Sequence, residues 1–229
     1  SNSFSTAQVD VVSLAVDNKG YIYIAGNFSD SINVGGLTIG TVYNQQDAFV
    51  AKYDSDGNVI WLKRIGGPGW DKLDDMTLDT AGNIIVKTDF EAYTRTYDTI
   101  SVTVLSTSDN MMLGKINPSG TFVWVTCPEM GDISPSRLAI DHHNNIYVAG
   151  TYKNGILFAG STTYIHANNS DLLLMKFDDN GLFKWSNTPD TSGYATVDGF
   201  TIGVDDKLLV AGNVQYCAVF NSLDSFITT

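Results

Sequence analysis

The sequence predicts an all-β propeller, with four-stranded antiparallel blades repeating every 62 residues. Three observations carry this expectation. Asp17, Asp79, Asp141 and Gly203 open copies of one short motif, and each stands 62 residues from the next. Of 25 acidic residues only Glu91 and Glu129 are Glu, and Gly numbers 21, a composition that favours strands and tight turns over helices. The segments between the turns are apolar on both faces, so both faces need cover. A sheet stacked between two similar sheets meets that need.

The first unit sets the pattern. Its strand a is expected over Val12 to Val16 and its strand b over Tyr21 to Phe28. The turn Asp17-Asn18-Lys19-Gly20 joins them, because Asp and Asn cap their own backbone and Gly accepts φ > 0. Strand c follows over Ala48 to Tyr53 and strand d over Val59 to Ile65, joined by Asp54-Ser55-Asp56-Gly57. Strand b returns as Asn83-Ile84-Ile85-Val86, as Asn145-Ile146-Tyr147-Val148-Ala149-Gly150, and as Lys207-Leu208-Leu209-Val210-Ala211-Gly212. Strands c and d return with Asp109, Lys115, Asn117, Gly120 and Trp124, then with Asp171, Lys176, Asp178, Gly181 and Trp185. In every complete unit Trp follows Gly by four residues. The blades fall at about 11–72, 73–134, 135–196 and 197–229, in one partial propeller domain. At 62 residues per unit, 229 residues hold about 3.7 units, and the fourth lacks strands c and d. The expectation is a fragment of a larger propeller, or a ring that another chain completes.

These motifs resemble the bacterial β-propeller repeat of the SBBP type, whose units run D-x-x-G-N-x-Y-x-x-G and then D-x-F-V-A-K-x-D-x-x-G-x-x-x-W. The resemblance covers about residues 11–229. It implies a secreted, periplasmic or cell-surface bacterial protein, in a family whose members mostly have no assigned activity. Lys87-Thr88 departs from the Ala-Gly expected in unit two. The Gly-x-x-x-Trp turn is also similar to that of quinone-dependent dehydrogenase propellers, but no matching cofactor residues accompany it.

Net charge is −12, a surface that repels phosphate backbones and argues against nucleic acid as a partner. No apolar run approaches the roughly 18 residues that a membrane helix needs. No nucleophile elbow, Walker loop, zinc-protease or Cys-x-x-Cys motif is present. The reading is therefore non-catalytic, with no catalytic residue, no metal and no cofactor assigned.

Several residues are candidates for structural work. Trp61, Trp124 and Trp185 suit packing between blades. Lys52, Lys115 and Lys176 sit in covered strands and each needs a counter-charge or carbonyl. Asp54 and Asp56 resemble the opening of a calcium loop, but no bidentate acid closes it, and a hairpin turn is expected instead. His142 and His143 read as a surface turn. Cys127 and Cys217 fall in different units and pair only if loops bring them together. Asn27-Phe28-Ser29 and Asn168-Asn169-Ser170 match a glycosylation sequon that would normally stay idle.

Function is expected on one side of the propeller. The a–b and c–d turns share one side and are short and repetitive. The b–c and d–a connections share the other and vary between units, which is where recognition usually resides. Trp70, Tyr43, Tyr93, Tyr97, Tyr164 and Tyr194 gather there, with Gln45, Gln46, Arg95, His166 and Tyr216. Trp70 is the one Trp outside the repeated position. Aromatics among amides suit protein partners or sugar rings. The expected role is a binding or scaffolding module acting through protein–protein contact. The alternatives are a glycan-binding adhesin and a carbohydrate-active enzyme on the same side.

Overall fold

A computed structural model describes residues 8–42, 45–91, 94–104, 110–127, 132–153, 156–157, 164–165, 171–188, 190–191, 196–203, 206–213 and 218–219. The first unit contains β1 (Val9–Val16), β2 (Ile22–Ser29), β3 (Ser31–Val34), β4 (Leu37–Gly40), β5 (Gln46–Tyr53) and β6 (Val59–Ile65). The second contains β7 (Asp71–Leu78), β8 (Ile84–Phe90), β9 (Thr94–Tyr97), β10 (Ile100–Thr103), β11 (Asn110–Ile116) and β12 (Phe122–Thr126). The third contains β13 (Asp132–Ile140), β14 (Ile146–Lys153), β15 (Ile156–Leu157), β16 (Tyr164–Ile165), β17 (Asp171–Phe177) and β18 (Phe183–Asn187). The remaining strands are β19 (Asp190–Thr191), β20 (Gly199–Ile202), β21 (Leu208–Ala211) and β22 (Ala218–Val219). No helix among the described residues is long and apolar enough to cross a membrane.

Three sheets have four strands each, ordered β1-β2-β5-β6, β7-β8-β11-β12 and β13-β14-β17-β18, with every neighbouring pair antiparallel. These are the expected strands a to d. Strand a is longer than expected, starting at Val9, and strand c starts at Gln46. β20 and β21 pair as the a and b strands of the fourth unit. The a strands β1, β7, β13 and β20 stand beside one another in chain order.

The repeated turn has one mechanism in the first three units, while Gly203 opens the fourth unit's turn with backbone hydrogen bonds to Lys207 and Asp206. Asp79 Oδ1 accepts from the amides of Ala81 and Asn83, and Asp141 Oδ1 from those of His143 and Asn145. Asp54, Asn117 and Asp178 do the same in the c–d turns. The fourth turn position must be left-handed, and Gly20, Gly57, Gly82, Gly120 and Gly181 hold it at φ between 75° and 88°. Asn144 and Asp206 hold it in units three and four. Asp54 is therefore a turn cap, and the calcium reading gains no support from its geometry.

The core lies between the sheets. Tyr23, Ala25, Val50 and Ile65 of the first sheet pack against Met76, Ile84, Val86 and Ile116 of the second. The other face of the second sheet, with Ile85, Met111 and Leu113, packs against Leu138, Ile146, Val148 and Met175 of the third. Ala149 and Leu174 of the third meet Val197, Phe200, Leu208 and Val210 of the fourth unit.

Trp61 and Lys52 fasten the first blade to the second and Trp124 and Lys115 the second to the third; packing of the Trp between blades was expected, and so was a carbonyl or counter-charge for each Lys. Trp61 Nε1 donates to the Pro118 carbonyl in the next unit's turn, and Trp124 Nε1 donates to that of Asp179. Each indole lies against the turn glycine: a Cβ on Gly120 would sit 3.3 Å from Trp61, and one on Gly181 only 2.8 Å from Trp124. Lys52 Nζ reaches the same Pro118 carbonyl at 3.1 Å and covers the Tyr21 ring. Lys115 Nζ lies 2.8 Å from Asp79 and 2.5 Å from Asp179. Trp185 packs on Tyr147, and Lys176 Nζ stands over that same ring.

The b–c connections differ from the sequence reading. They fold into small hairpins, β3-β4, β9-β10 and β15-β16, rather than open loops. Gly35 and Gly36, both at positive φ, turn the first, and Asp98 at φ 54° turns the second. The first hairpin lays Ile32 on Phe28 and Phe49.

Candidate interaction site on the connector side

The expected site residues separate once the hairpins are in place. In β9 Arg95 and Tyr97 point inward while Thr94 and Thr96 point to solvent, as strand alternation requires. Tyr97 is therefore corrected: it is 4% exposed, and its ring lies tilted against that of Phe122 with centroids 5.2 Å apart. It is a core residue and offers no contact surface. Trp70 is 52% exposed. Tyr43, Tyr93 and Tyr194 lie outside the described residues, as do His166 and Tyr216. Tyr164 pairs with Leu157 in β16, and its side chain lies outside the described set.

Trp70 ends the connector between β6 and β7, and a buried polar cluster fixes that connector. Asp71 Oδ2 accepts from the Gly67 amide at 3.0 Å and from Arg95 Nη2 at 2.9 Å. Arg95 Nη1 donates to the Pro68 carbonyl, and Nη2 reaches the Glu91 carbonyl. The Glu91 amide in turn donates to the Trp70 carbonyl at 3.0 Å. Gly67 and Gly69 are required by close approach: a Cβ on either would meet Arg95 Nη1 at 2.8 Å or the Glu91 carbonyl at 2.4 Å. Arg64 completes the cluster from the first blade, 3.3 Å from Asp47. The main chain on both sides of Trp70 is thus anchored, while its indole faces water.

Sequence reasoning missed this anchor. Asp47 is the second residue of strand c and Asp71 the first of the next unit's strand a, and both are buried beneath the connector. Their spacing gives no hint that they meet. Burial pushes Asp71 up to about 7. Arg95 pulls it down, but the neighbouring Asp47 adds to the rise. Asp47 is raised for the same first reason, with Arg64 opposing.

A pH dependence follows. Asp71 holds its proton more tightly folded than unfolded, so its contribution to stability falls as pH rises from about 4 toward 7. Asp71→Asn should make the decline in stability between pH 5 and 7.5 distinctly shallower, as read by urea midpoints. An unchanged slope would show that Asp71 is ionised throughout.

The a–b turn side offers a different surface. An open cleft of about 390 Å³ lies among the strand ends, lined by Leu78, Asp79, Ile140, Asp141, Phe200 and Ile202. Its two carboxylates serve their own turns, since Asp79 also accepts from Asn83 Nδ2 and Asp141 from Asn145 Nδ2 and the Tyr147 hydroxyl. His142 joins the turns of units three and four through Asp206, at 2.7 Å. That hydrogen bond, with the Asp206 charge behind it, raises the imidazole pKa. Among the described residues no three His, Cys, Asp or Glu gather as metal ligands. Asn27 is buried, and its side chain brackets the Leu73 amide and carbonyl, which closes it to glycosylation. Cys127 carries a thiol pushed up to about 12 by burial, and Cys217 lies outside the described residues.

Repeated antiparallel sheets stacked through matching faces define a β-propeller-like repeat protein. No family model matches the chain. It is 26% identical to an uncharacterized WD repeat-containing protein, L264, of Acanthamoeba polyphaga mimivirus. That alignment of 119 residues covers 47% of this chain and 9% of the relative.

Proposed function

We propose that the chain is a non-catalytic protein-interaction module, with Trp70 as the anchor of its contact surface. One observation carries the reading: a large exposed aromatic stands on a connector whose backbone is pinned on both sides by Asp71, Arg95 and Glu91. Binding hot spots favour Trp, and a preorganised backbone spares the ordering cost of association. The WD-repeat relative supports a protein-interaction role over turnover. The four units act as one domain in this reading. The resemblance to bacterial SBBP repeats supports a secreted or cell-envelope setting for it.

Affinity capture from source cells, with the unaltered chain and Trp70→Ala in parallel, tests the proposal. Trp70→Ala should change stability by no more than about 0.5 kcal/mol, as a surface substitution, and abolish retention of a stoichiometric protein. Equal retention by both forms would remove Trp70 from the contact. Glycan-array binding with no protein partner would favour the adhesin instead.

A further inference from the structure

Two carboxyl groups meet beneath the connector that carries Trp70. Asp47 of β5 and Asp71 of β7 hydrogen-bond to each other. Two ionised carboxylates have no donor between them, so this bond requires that one proton be held by the pair. Among the described residues, no N–H or O–H group donates to Asp47 Oδ1 or to Asp71 Oδ1, and both atoms are buried. The other oxygens are engaged: Asp47 Oδ2 accepts from Arg64, and Asp71 Oδ2 accepts from Arg95 and from the Gly67 amide. Gly66 lies directly on the pair, since a Cβ there would stand 2.4 Å from Asp47 Oδ1 and 3.0 Å from Asp71 Oδ2.

We infer that one proton shared by Asp47 and Asp71 is a latch: it fastens β5 of the first blade to β7 of the second, and its loss loosens the connector that presents Trp70. Without the proton two negative charges stand side by side at positions at most 1% exposed. Burial makes that repulsion costly. The Gly67 amide is bonded to the same Asp71, so separating the pair moves the connector with it. Other charged or titratable groups face the cluster, and none of them competes for this role. Arg64 of β6 and Arg95 of β9 carry guanidinium groups, which do not deprotonate in proteins. Tyr97 of β9 and Cys127 beyond β12 are raised by burial and stay neutral. Asp71 is pushed up to about 7, chiefly by burial and against the pull of Arg95, so the proton leaves near neutral pH. The latch governs how Trp70 is held, whether or not Trp70 is a binding anchor.

Hydrogen–deuterium exchange of the full 229-residue chain, read by mass spectrometry on the peptide spanning residues 66–73, tests it. Exchange is expressed as protection factors, which remove its intrinsic pH dependence. Protection of that peptide should fall at least about tenfold between pH 5.5 and pH 8, as loss of a proton held more tightly in the closed state requires. The connector should exchange faster than β11 at both pH values, because it opens locally. Asp71→Asn supplies the bridging hydrogen permanently from its amide and keeps an acceptor for Arg95, so its protection at pH 8 should match that at pH 5.5. Asp47→Asn donates to the ionised Asp71 and should remove the step as well, and it reads the latch should Asp71→Asn fail to fold. No step in the unaltered chain, or a step that persists in both variants, overturns the proposal. So does a connector that exchanges no faster than β11, or protection restored at pH 8 by sodium or calcium, which would make the pair a cation site.

Discussion

Lys87→Ala should destabilise the protein by about 3–5 kcal/mol, the cost of leaving a buried charge without its partner. Lys87 is fully buried in β8, 2.6 Å from Asp74 and 2.5 Å from Asp89. Ser136 of the third blade donates to the same Asp74 at 3.1 Å, so the cluster also ties blade two to blade three. Burial disfavours the ammonium, but the two carboxylates outweigh it and raise its pKa. Burial likewise raises Asp74, and Lys87 and Lys72 overcome it. Asp89 is pushed up to about 6 by burial, against the pull of Lys87. Without the ammonium both acids are driven toward protonation. The deficit of the variant should therefore be largest at pH 7 and shrink toward pH 5 in urea denaturation.

The repeat supplies its own control for that experiment. Positions 87, 74 and 89 correspond to Ala25, Val12 and Asn27 in the first blade. Importing all three as Lys87→Ala, Asp74→Val and Asp89→Asn should recover most of the loss, since replacing a buried ionic cluster by uncharged groups removes the stranded charges and is often neutral or stabilising. A triple variant as unstable as Lys87→Ala alone would mean that the cavity, and not the stranded carboxylates, sets the cost.

Trp124→Ala should cost about 3 kcal/mol, in the range for removing a large aromatic from packed surroundings. Its indole covers Gly181 of the next blade, donates to the Asp179 carbonyl at 3.0 Å, and borders the core between the second and third sheets. The loss should appear as a lower urea midpoint in a single cooperative transition. A loss below about 1 kcal/mol, the size of one net hydrogen bond, would mean that the indole contributes little beyond its N–H.

The strands and their stacking were legible because they repeat. A period of 62 with Asp, Gly, Lys and Trp at fixed offsets identifies turns, covered strands and inter-blade contacts together, and Lys52, Lys115, Trp61 and Trp124 all stand where that pattern implies. The small hairpins were not legible. Ser31 to Val34 is four residues of weak alternation, too short to distinguish from a loop until Ile32 finds Phe28 and Phe49. The same gap misplaced Tyr97 and Arg95, whose burial depends on which side of β9 faces the core. Lys87 stood out as a departure from the repeat, but its partners, Asp74 on β7 and Asp89 two residues along β8, sit at offsets that a periodic reading does not compare. Trp70 was legible as an outlier among the tryptophans. The Asp47, Asp71 and Arg95 anchor beneath it was not, because it joins the starts of β5 and β7 to the hairpin β9-β10 that follows both in the chain.

The order of the blades and their coupling are tested most directly by a double-mutant cycle between Trp124→Ala and Gly181→Ala. Alanine at 181 bears the same backbone strain at φ 75° in either background, but its Cβ meets the indole only when Trp124 is present. Stacking of blade two on blade three predicts a coupling of at least about 1 kcal/mol, as for residues in direct contact, and none between Trp61→Ala and Gly181→Ala. Additive effects of Trp124→Ala and Gly181→Ala would contradict the arrangement.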